Sequence, residues 1–221
     1  MEKRINKSIL LFAYVVVFLI CVKVIRIRGE GILWTQCLAY ILLGLLAVYI
    51  FRDEIKTGVK LWKINPIKNV LWLIGCFIAD MGLNILSNYL QYVLYPDYIS
   101  MQENSIERAF SSSVPDIVLI LALGIFGPIL EEAIYRLFLV GNLSKKISSF
   151  IVIPVSALLF MAMHMNALTL PELISHLPKF FTGLVYGITY KVTKNSTISI
   201  GLHVFNNLPT LILIAISVAW K

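Results

Sequence analysis

Long apolar runs set the strongest limit on how this chain folds. They lie near residues 8–22, 33–51, 69–92, 116–140, 150–165, 179–190 and 197–219. A helix needs about 20 apolar residues to cross the hydrocarbon core of a bilayer. The chain is 59% hydrophobic and only 14% charged, whereas soluble domains are near 45–50% apolar and about 25% charged. We therefore predict an all-α, polytopic transmembrane helix bundle of about seven to eight spans.

The whole chain, residues 1–221, reads as a single membrane domain. It shows no internal repeat, no low-complexity tract and no soluble appendage. The runs at 150–165 and 179–190 are short and could be tilted or re-entrant, which leaves the span count open by one. The longest polar connection runs from Tyr95 to Asp116, and we expect it to form a short interfacial helix or a cap over a cavity.

Basic residues give the chain a net charge of +7, and their positions indicate its partners and orientation. They lie in short loops between apolar runs, a pattern typical of topology signals and lipid headgroup contacts and not of nucleic-acid binding. With the N-terminus inside, the cytoplasmic segments hold twelve Lys and Arg and the opposite side holds six. This bias predicts a multi-pass cell-membrane protein with a cytoplasmic N-terminus. The compact chain and its many Ile, Asn and Lys residues suggest a bacterial plasma membrane.

The fourth apolar run contains charges that lipid disfavours. Glu131, Glu132 and Arg136 follow Gly127-Pro128 and are flanked by apolar residues. A charge at the bilayer centre costs about 2.5–3.5 kcal/mol on insertion scales, so such residues usually face a cavity and carry function. Glu132 and Arg136 are four residues apart and can pair, whereas Glu131 points about 100° away. Gly127-Pro128 should loosen the helix one turn earlier.

Two further runs contribute polar side chains at helical spacing. Phe160 and His164 share one face of the fifth run, and His203 and Asn207 share one face of the last, with Asn206 rotated off that face. Each pattern alone has a structural explanation, such as a buried ion pair, an interfacial histidine or a hydrogen bond across the bundle. Together they supply a carboxylate to take a proton from water, a histidine to orient that water, and a histidine and an amide to stabilise an oxyanion.

The three motifs, in this order on successive helices, resemble those of the CPBP family, also described as the Abi or CAAX prenyl protease-like family. The motifs are Glu131-Glu132-x-x-x-Arg136, Phe160-x-x-x-His164 and His203-x-x-x-Asn207, and Gly183 to Gly187 resembles a glycine-containing helix of that family. The resemblance covers a catalytic core at about residues 116–212. The first 100 residues match only as generic spans.

The resemblance implies an intramembrane endopeptidase of the glutamic type and assigns a role to each residue. Glu131 would be the water-activating base, helped by His164, and His203 and Asn207 would donate to the oxyanion. Glu132 and Arg136 would support the geometry of the site. Phe160 would form a wall of the pocket.

The expected partners are membrane lipids and a peptide or membrane-protein substrate, with no nucleic acid. The family includes proteases that trim prenylated CAAX proteins and bacterial members tied to bacteriocin self-immunity or peptide maturation. We expect no metal cofactor, because the oxyanion role explains Asn207 better than zinc ligation does. The alternative is a zinc site formed by Glu131, His164 and His203, since two histidines and a glutamate are a known catalytic ligand set.

Other functions and protease classes have weaker support. The sequence contains no H-E-x-x-H and no G-x-S-G, and Asp80 and Asp116 lack a G-x-G-D partner. Cys21, Cys37 and Cys76 indicate neither a disulfide framework nor a zinc site, and His176 is expected in a solvated loop. The main alternative is a non-catalytic membrane immunity or scaffold protein that binds a toxin or its receptor. A transporter is a third option, although the chain lacks repeated halves.

Overall fold

A computed structural model describes residue 16 and residues 30–220 of the chain. Apart from residue 16, the predicted span at 8–22 lies outside the described residues, as does Cys21. Nearly all of residues 30–220 are helical, without a β-strand among them, which confirms the all-α helix bundle. The helices are α1 Glu30–Ile50, α2 Arg52–Ile64, α3 Pro66–Leu94, α4 Met101–Phe110, α5 Asp116–Leu143, α6 Ser149–His164, α7 Leu170–Ser175, α8 Leu177–Thr193 and α9 Ser196–Ala219.

Six of the predicted apolar runs appear as helices in the described residues. Within this part of the chain, α1, α3, α5 and α9 are long and apolar enough to cross a membrane, and α6 is apolar but shorter. The outer faces of the long helices carry large hydrophobic side chains that are mostly exposed, such as Leu42, Ile78 and Leu213. Such faces are stable only when lipid covers them. The chain is therefore a membrane protein.

The polar connection between α3 and α5 contains the predicted short helix. Helix α4 buries Ala109 and Phe110 against residues of α1 and α5, including Cys37 and Leu119. Its polar residues Gln102 and Ser105 face a cavity inside the bundle. Helix α4 thus anchors itself by its apolar residues and covers one end of that cavity.

Helix α5 changes its winding on both sides of Pro128. Residues Ile120–Phe126 form a π-helix, and Ala133–Leu143 form a second one. The N–H of Gly127 donates to the carbonyl of Ala122, five residues earlier. Proline has no N–H with which to continue this pattern to the carbonyl of Leu123. The loosening predicted ahead of Gly127-Pro128 is confirmed, and it leaves a backbone carbonyl available to another helix.

Helices α6 and α8 pack closely because two glycines face α6. A Cβ atom at Gly183 would lie 2.8 Å from the Cα atom of Ala157, and one at Gly187 would lie 2.9 Å from a methyl group of Ile153. Small residues at this four-residue spacing let membrane helices approach until their backbones touch. The glycine-containing stretch noted in the sequence therefore sets the distance between α8 and the helix that ends at His164.

Replacing Gly183 with alanine should destabilise the bundle, by about 1–3 kcal/mol if the contact behaves like other overpacked sites. The new methyl group has no room beside Ala157. Thermal unfolding of the detergent-solubilised protein measures the effect. Gly75→Ala in α3 is the matched control, since a Cβ atom there meets nothing within 4 Å. Equal unfolding temperatures for the two variants would contradict the close packing of α6 against α8.

Candidate active site

The Glu131 carboxylate lies between two imidazole rings from other helices. Its Oε1 is 3.9 Å from Nε2 of His164, and its Oε2 is 3.5 Å from Nε2 of His203. Glu131 is in the middle of α5, His164 is the last residue of α6, and His203 is in the second turn of α9. The Glu131 and His164 side chains are each less than 15% exposed. Three helices thus bring the three ionisable side chains together inside the bundle.

The hydrogen bond of His164 to the backbone fixes the orientation of its ring. Nδ1 lies 2.8 Å from the carbonyl oxygen of Phe160. A carbonyl only accepts hydrogen bonds, so Nδ1 carries the hydrogen and donates it. In the neutral ring, Nε2 then has a free lone pair, and this atom faces Glu131. His164 is therefore poised to accept a hydrogen bond on the Glu131 side.

His203 bridges the two adjacent glutamates. While its Nε2 faces Glu131, its Nδ1 lies 3.0 Å from Oε1 of Glu132. Glu132 in turn lies 3.0 Å from Nη1 of Arg136, which confirms the predicted pairing of these two residues. The contact between His203 and Glu132 was not predicted. It gives Glu132 a second role, because a carboxylate that accepts from Nδ1 fixes the orientation of the His203 ring.

Arg136 is enclosed by aromatic rings. The side chain is 1% exposed, and its guanidinium carbon lies 4.8, 5.3 and 5.9 Å from the ring centres of Phe160, Tyr186 and Tyr135. Such faces attract a cation, more strongly where water is excluded. Phe160 is fully buried and also makes edge contacts with both site histidines. It therefore packs against the guanidinium and against both imidazoles.

Asn207 reaches the site through the irregular part of α5. Its Nδ2 donates to the carbonyl of Leu123 at 3.4 Å. This is the carbonyl that Pro128 leaves without an i→i+5 partner. Asn207 lines the same cavity as Glu131 and His164. One hydrogen of its amide is thus used to position the side chain, and the second remains for a ligand in the cavity.

A second polar cluster, centred on Asp80 of α3, lies beside the site. Asp80 is 2% exposed and accepts hydrogen bonds from Asn206 at 2.5 Å and from Thr182 at 2.6 Å. Asn206 also lies 2.7 Å from the hydroxyl of Tyr186. The helical spacing places Asn206 off the face that carries His203, but spacing does not predict that Asn206 binds Asp80 on another helix. The only sequence signal for this cluster was Asp80 itself, because an aspartate within an apolar run usually has a polar partner inside the bundle.

His176 is not solvated as predicted. It is 2% exposed, and its Nδ1 lies 2.8 Å from the carbonyl oxygen of Glu172. The Glu172 carboxylate accepts hydrogen bonds from the Tyr98 hydroxyl and from the backbone N–H of Asn166. Donation to this carboxylate raises the pKa of the Tyr98 hydroxyl. The connection between α6 and α8 therefore packs against the bundle and is hydrogen-bonded to the segment after α3.

The side chains of the site open into a cavity of about 580 Å³. Its lining combines polar residues, among them Glu131, His164 and Asn207, with apolar residues such as Ile106 and Ile214. This size suits a small ligand or a short peptide segment. Besides residues of α5, α6 and α8, the lining includes residues of α1, α4 and α9, so the cavity extends toward the face of the bundle that carries α4.

Among the described residues there is no group of three or more His, Cys, Asp and Glu side chains placed to hold a metal ion. The zinc ligand set considered from the sequence comprised Glu131, His164 and His203. In this structure the Glu131 carboxylate lies 3.9 Å from Nε2 of His164 and 3.5 Å from Nε2 of His203. The other ring nitrogen of His203, Nδ1, contacts Glu132.

Comparison with known proteins supports the resemblance seen in the motifs. Residues 113–209 match the family model described as type II CAAX prenyl endopeptidase, Rce1-like. This range contains all seven residues predicted for the site. No curated protein and no solved structure is significantly similar to the chain. The match confirms the resemblance to the CAAX protease-like family and indicates a protease that acts on a peptide or protein substrate.

Proposed function

Because residues 113–209 match the Rce1-like type II CAAX prenyl endopeptidase family, we propose that this protein is an intramembrane endopeptidase that cleaves a membrane-associated protein or peptide with water activated by Glu131. The observation that carries the proposal is the position of the Glu131 carboxylate between Nε2 of His164 and Nε2 of His203, in a cavity among apolar helices. A carboxylate at this depth is costly without a function.

In the first step, a water molecule binds between Glu131 and His164. Their facing atoms are 3.9 Å apart, a separation at which a bridging water is the natural contact. The water donates one hydrogen to the carboxylate and the other to the lone pair on Nε2. Glu131 takes a proton as the water oxygen attacks the carbonyl carbon of the substrate. The surrounding apolar helices strengthen these electrostatic contacts.

In the second step, His203 and Asn207 stabilise the oxyanion that forms on the carbonyl oxygen. With Nδ1 donating to Glu132, His203 has a second hydrogen on Nε2 only when both ring nitrogens are protonated, and we assign this Nε2–H as the donor to the oxyanion. The second amide hydrogen of Asn207 completes the pair of donors. Glu131 then passes its proton to the leaving nitrogen, the C–N bond breaks, and a carboxylic acid and an amine are released.

Replacing Pro128 with alanine should lower the hydrolysis rate. The new N–H competes for the carbonyl of Leu123, which holds Asn207 in place. Loss of one oxyanion donor costs about 10²- to 10³-fold in rate, so the decrease should approach that range. Pro154→Ala, within α6, is the matched control. A Pro128→Ala enzyme with full activity would contradict the anchoring of Asn207 by this carbonyl.

The position of the cavity supports a substrate from outside the cytoplasm. The cavity extends toward the face that carries α4, and the predicted orientation places that face on the non-cytoplasmic side. We therefore favour a translocated peptide or a membrane-protein segment as the substrate. Peptide maturation and bacteriocin self-immunity are the biological roles that fit such a substrate.

We propose that the reaction needs no metal ion. The amide of Asn207 faces the cavity and serves as an oxyanion donor, a role that zinc ligation by the other three residues would leave unexplained. Metal analysis of the purified protein should find far less than one zinc per chain. Stoichiometric zinc, together with loss of cleavage in chelator, would favour the metal-dependent alternative.

A comparison of shed peptides tests the proposed function in cells. Peptides released by cells that express the intact protein are compared by mass spectrometry with those from cells that express Glu131→Gln at the same level. Peptides present only with the intact protein support an endopeptidase and identify its substrate. Identical peptide sets, with toxin protection retained by Glu131→Gln, would favour a non-catalytic immunity protein instead.

A further inference from the structure

Lys179 is a cation directed toward the candidate active site without an ion-pair partner. It lies in the first turn of α8 and lines the main cavity together with Glu131, His164 and Asn207. Among the side chains that the structure describes, none forms an ion pair or a hydrogen bond with that of Lys179. A partly buried charge is stable at such a position when water or a ligand of opposite charge reaches it.

Lys179 also lines a smaller cavity of about 170 Å³ that contains Asp80 and His203. The Asp80 carboxylate is already bound by neutral donors, because Asn206 donates to Oδ2 and Thr182 donates to Oδ1. This carboxylate therefore does not need the ammonium group as its partner. Lys179 is thus placed where the two cavities meet, and its charge remains available to a ligand.

Glu131 does not form an ion pair with Lys179 either. The Glu131 oxygens face Nε2 of His164 and Nε2 of His203, and no atom of Glu131 lies within 4.0 Å of the ammonium group, the limit for an ion pair. The lysine is close enough to share the cavity with the catalytic carboxylate but does not contact it. A negatively charged group on the substrate could bind there without displacing a contact of the site.

We propose that Lys179 binds a carboxylate group of the substrate and thereby sets which peptide bond lies over Glu131. The inference rests on the proposed peptidase function. A lysine–carboxylate contact is a charge-assisted hydrogen bond, which is stronger than a neutral one. The carboxylate has two sources, the C-terminus of the substrate or an acidic side chain near the cleaved bond. Apolar side chains of the cavity lining, such as Leu33, Leu43 and Ile214, can contact hydrophobic residues of the same substrate.

Kinetic constants distinguish carboxylate binding by Lys179 from stabilisation of the oxyanion by the same cation. If the cation only stabilised the oxyanion, its removal would lower kcat for every peptide alike. If it binds a carboxylate, its removal raises KM for peptides that carry this group and abolishes the preference for them. The ratio of kcat/KM between matched peptides therefore separates the two roles.

The experiment uses the purified full-length protein and three pools of synthetic apolar decapeptides. The first pool ends in a free carboxylate, the second in a carboxamide, and the third in a carboxamide with one internal glutamate. Cleavage is followed by mass spectrometry for the wild type, Lys179→Met, Lys179→Arg and Lys191→Met. Lys191 is the matched control, since it lies at the other end of α8 and donates to Ser144.

The wild type and Lys191→Met should cleave one carboxylate pool at least about tenfold faster than the plain carboxamide pool, the effect of one hydrogen bond to a charged group. Lys179→Met should lose this preference and Lys179→Arg should keep most of it. The preferred pool identifies the source of the carboxylate. A preference that persists in Lys179→Met, or wild-type cleavage of all pools at one rate, would overturn the role of Lys179. No cleavage of any pool by the wild type would count against the peptidase function itself.

Discussion

Glu131→Gln protein should accumulate and insert normally yet hydrolyse peptides about 10²- to 10⁴-fold more slowly than the wild type, the usual contribution of a positioned general base. Glutamine keeps the size of the side chain and its contacts with His164 and His203, but its amide cannot take a proton from water. The rate is measured with purified protein and a cleaved peptide pool, and the folded fraction by size-exclusion chromatography in detergent.

Asp97→Asn is the matched control for this variant. It removes one carboxylate in the same way, but Asp97 is exposed in the connection after α3. The control should retain wild-type activity. Because Glu131→Gln leaves the buried pair of Glu132 and Arg136 intact, it should not lower the amount of protein. Loss of the folded protein in Glu131→Gln would mean that the carboxylate has a structural role.

Arg136→Met should lower the amount of folded protein as well as its activity. The arginine is buried, and its loss leaves Glu132 without the cation at 3.0 Å. Breaking a buried ion pair by removing one partner costs about 3–5 kcal/mol, a large fraction of the stability of a protein. The methionine side chain keeps apolar contact with Phe160 and Tyr186, so the defect is due mainly to the stranded charge. Protein level in membranes and the unfolding temperature in detergent measure it.

A double variant separates stability from catalysis. Glu132→Gln combined with Arg136→Met removes both charges, so it should recover much of the protein lost in Arg136→Met. Activity should stay low, because His203 then loses the carboxylate that orients its ring through Nδ1. An active double variant would show that Glu132 does not act through His203. An unstable double variant would show that packing, and not charge, holds this part of the bundle.

Helical spacing was enough to predict which polar side chains share a face. Glu132 pairs with Arg136 and Phe160 packs on His164, as expected for residues four apart on one helix. The apolar runs likewise predicted the helices, because a bilayer allows few other structures for runs of this length. Both inferences depend on local geometry alone.

Contacts between helices could not be read from spacing. His203 and Glu132 are 71 residues apart, and Asn206 and Asp80 are 126 apart. Whether such side chains meet depends on the rotation and tilt of each helix, which the glycines of α8 and the π-wound parts of α5 set together. The position of His176 between Pro171 and Pro178 predicts a solvated loop, but hydrogen bonds of Glu172 to Tyr98, Asn166 and His176 hold that loop against the bundle. Folded loops of this kind leave no periodic signal.

The most direct test measures peptide cleavage by one purified preparation in chelator, with the wild type and Glu131→Gln side by side. The proposed activation of water by Glu131 without a metal ion predicts cleavage by the wild type after metal removal and almost none by the variant. Cleavage by Glu131→Gln at the wild-type rate would contradict the assignment of Glu131 as the base.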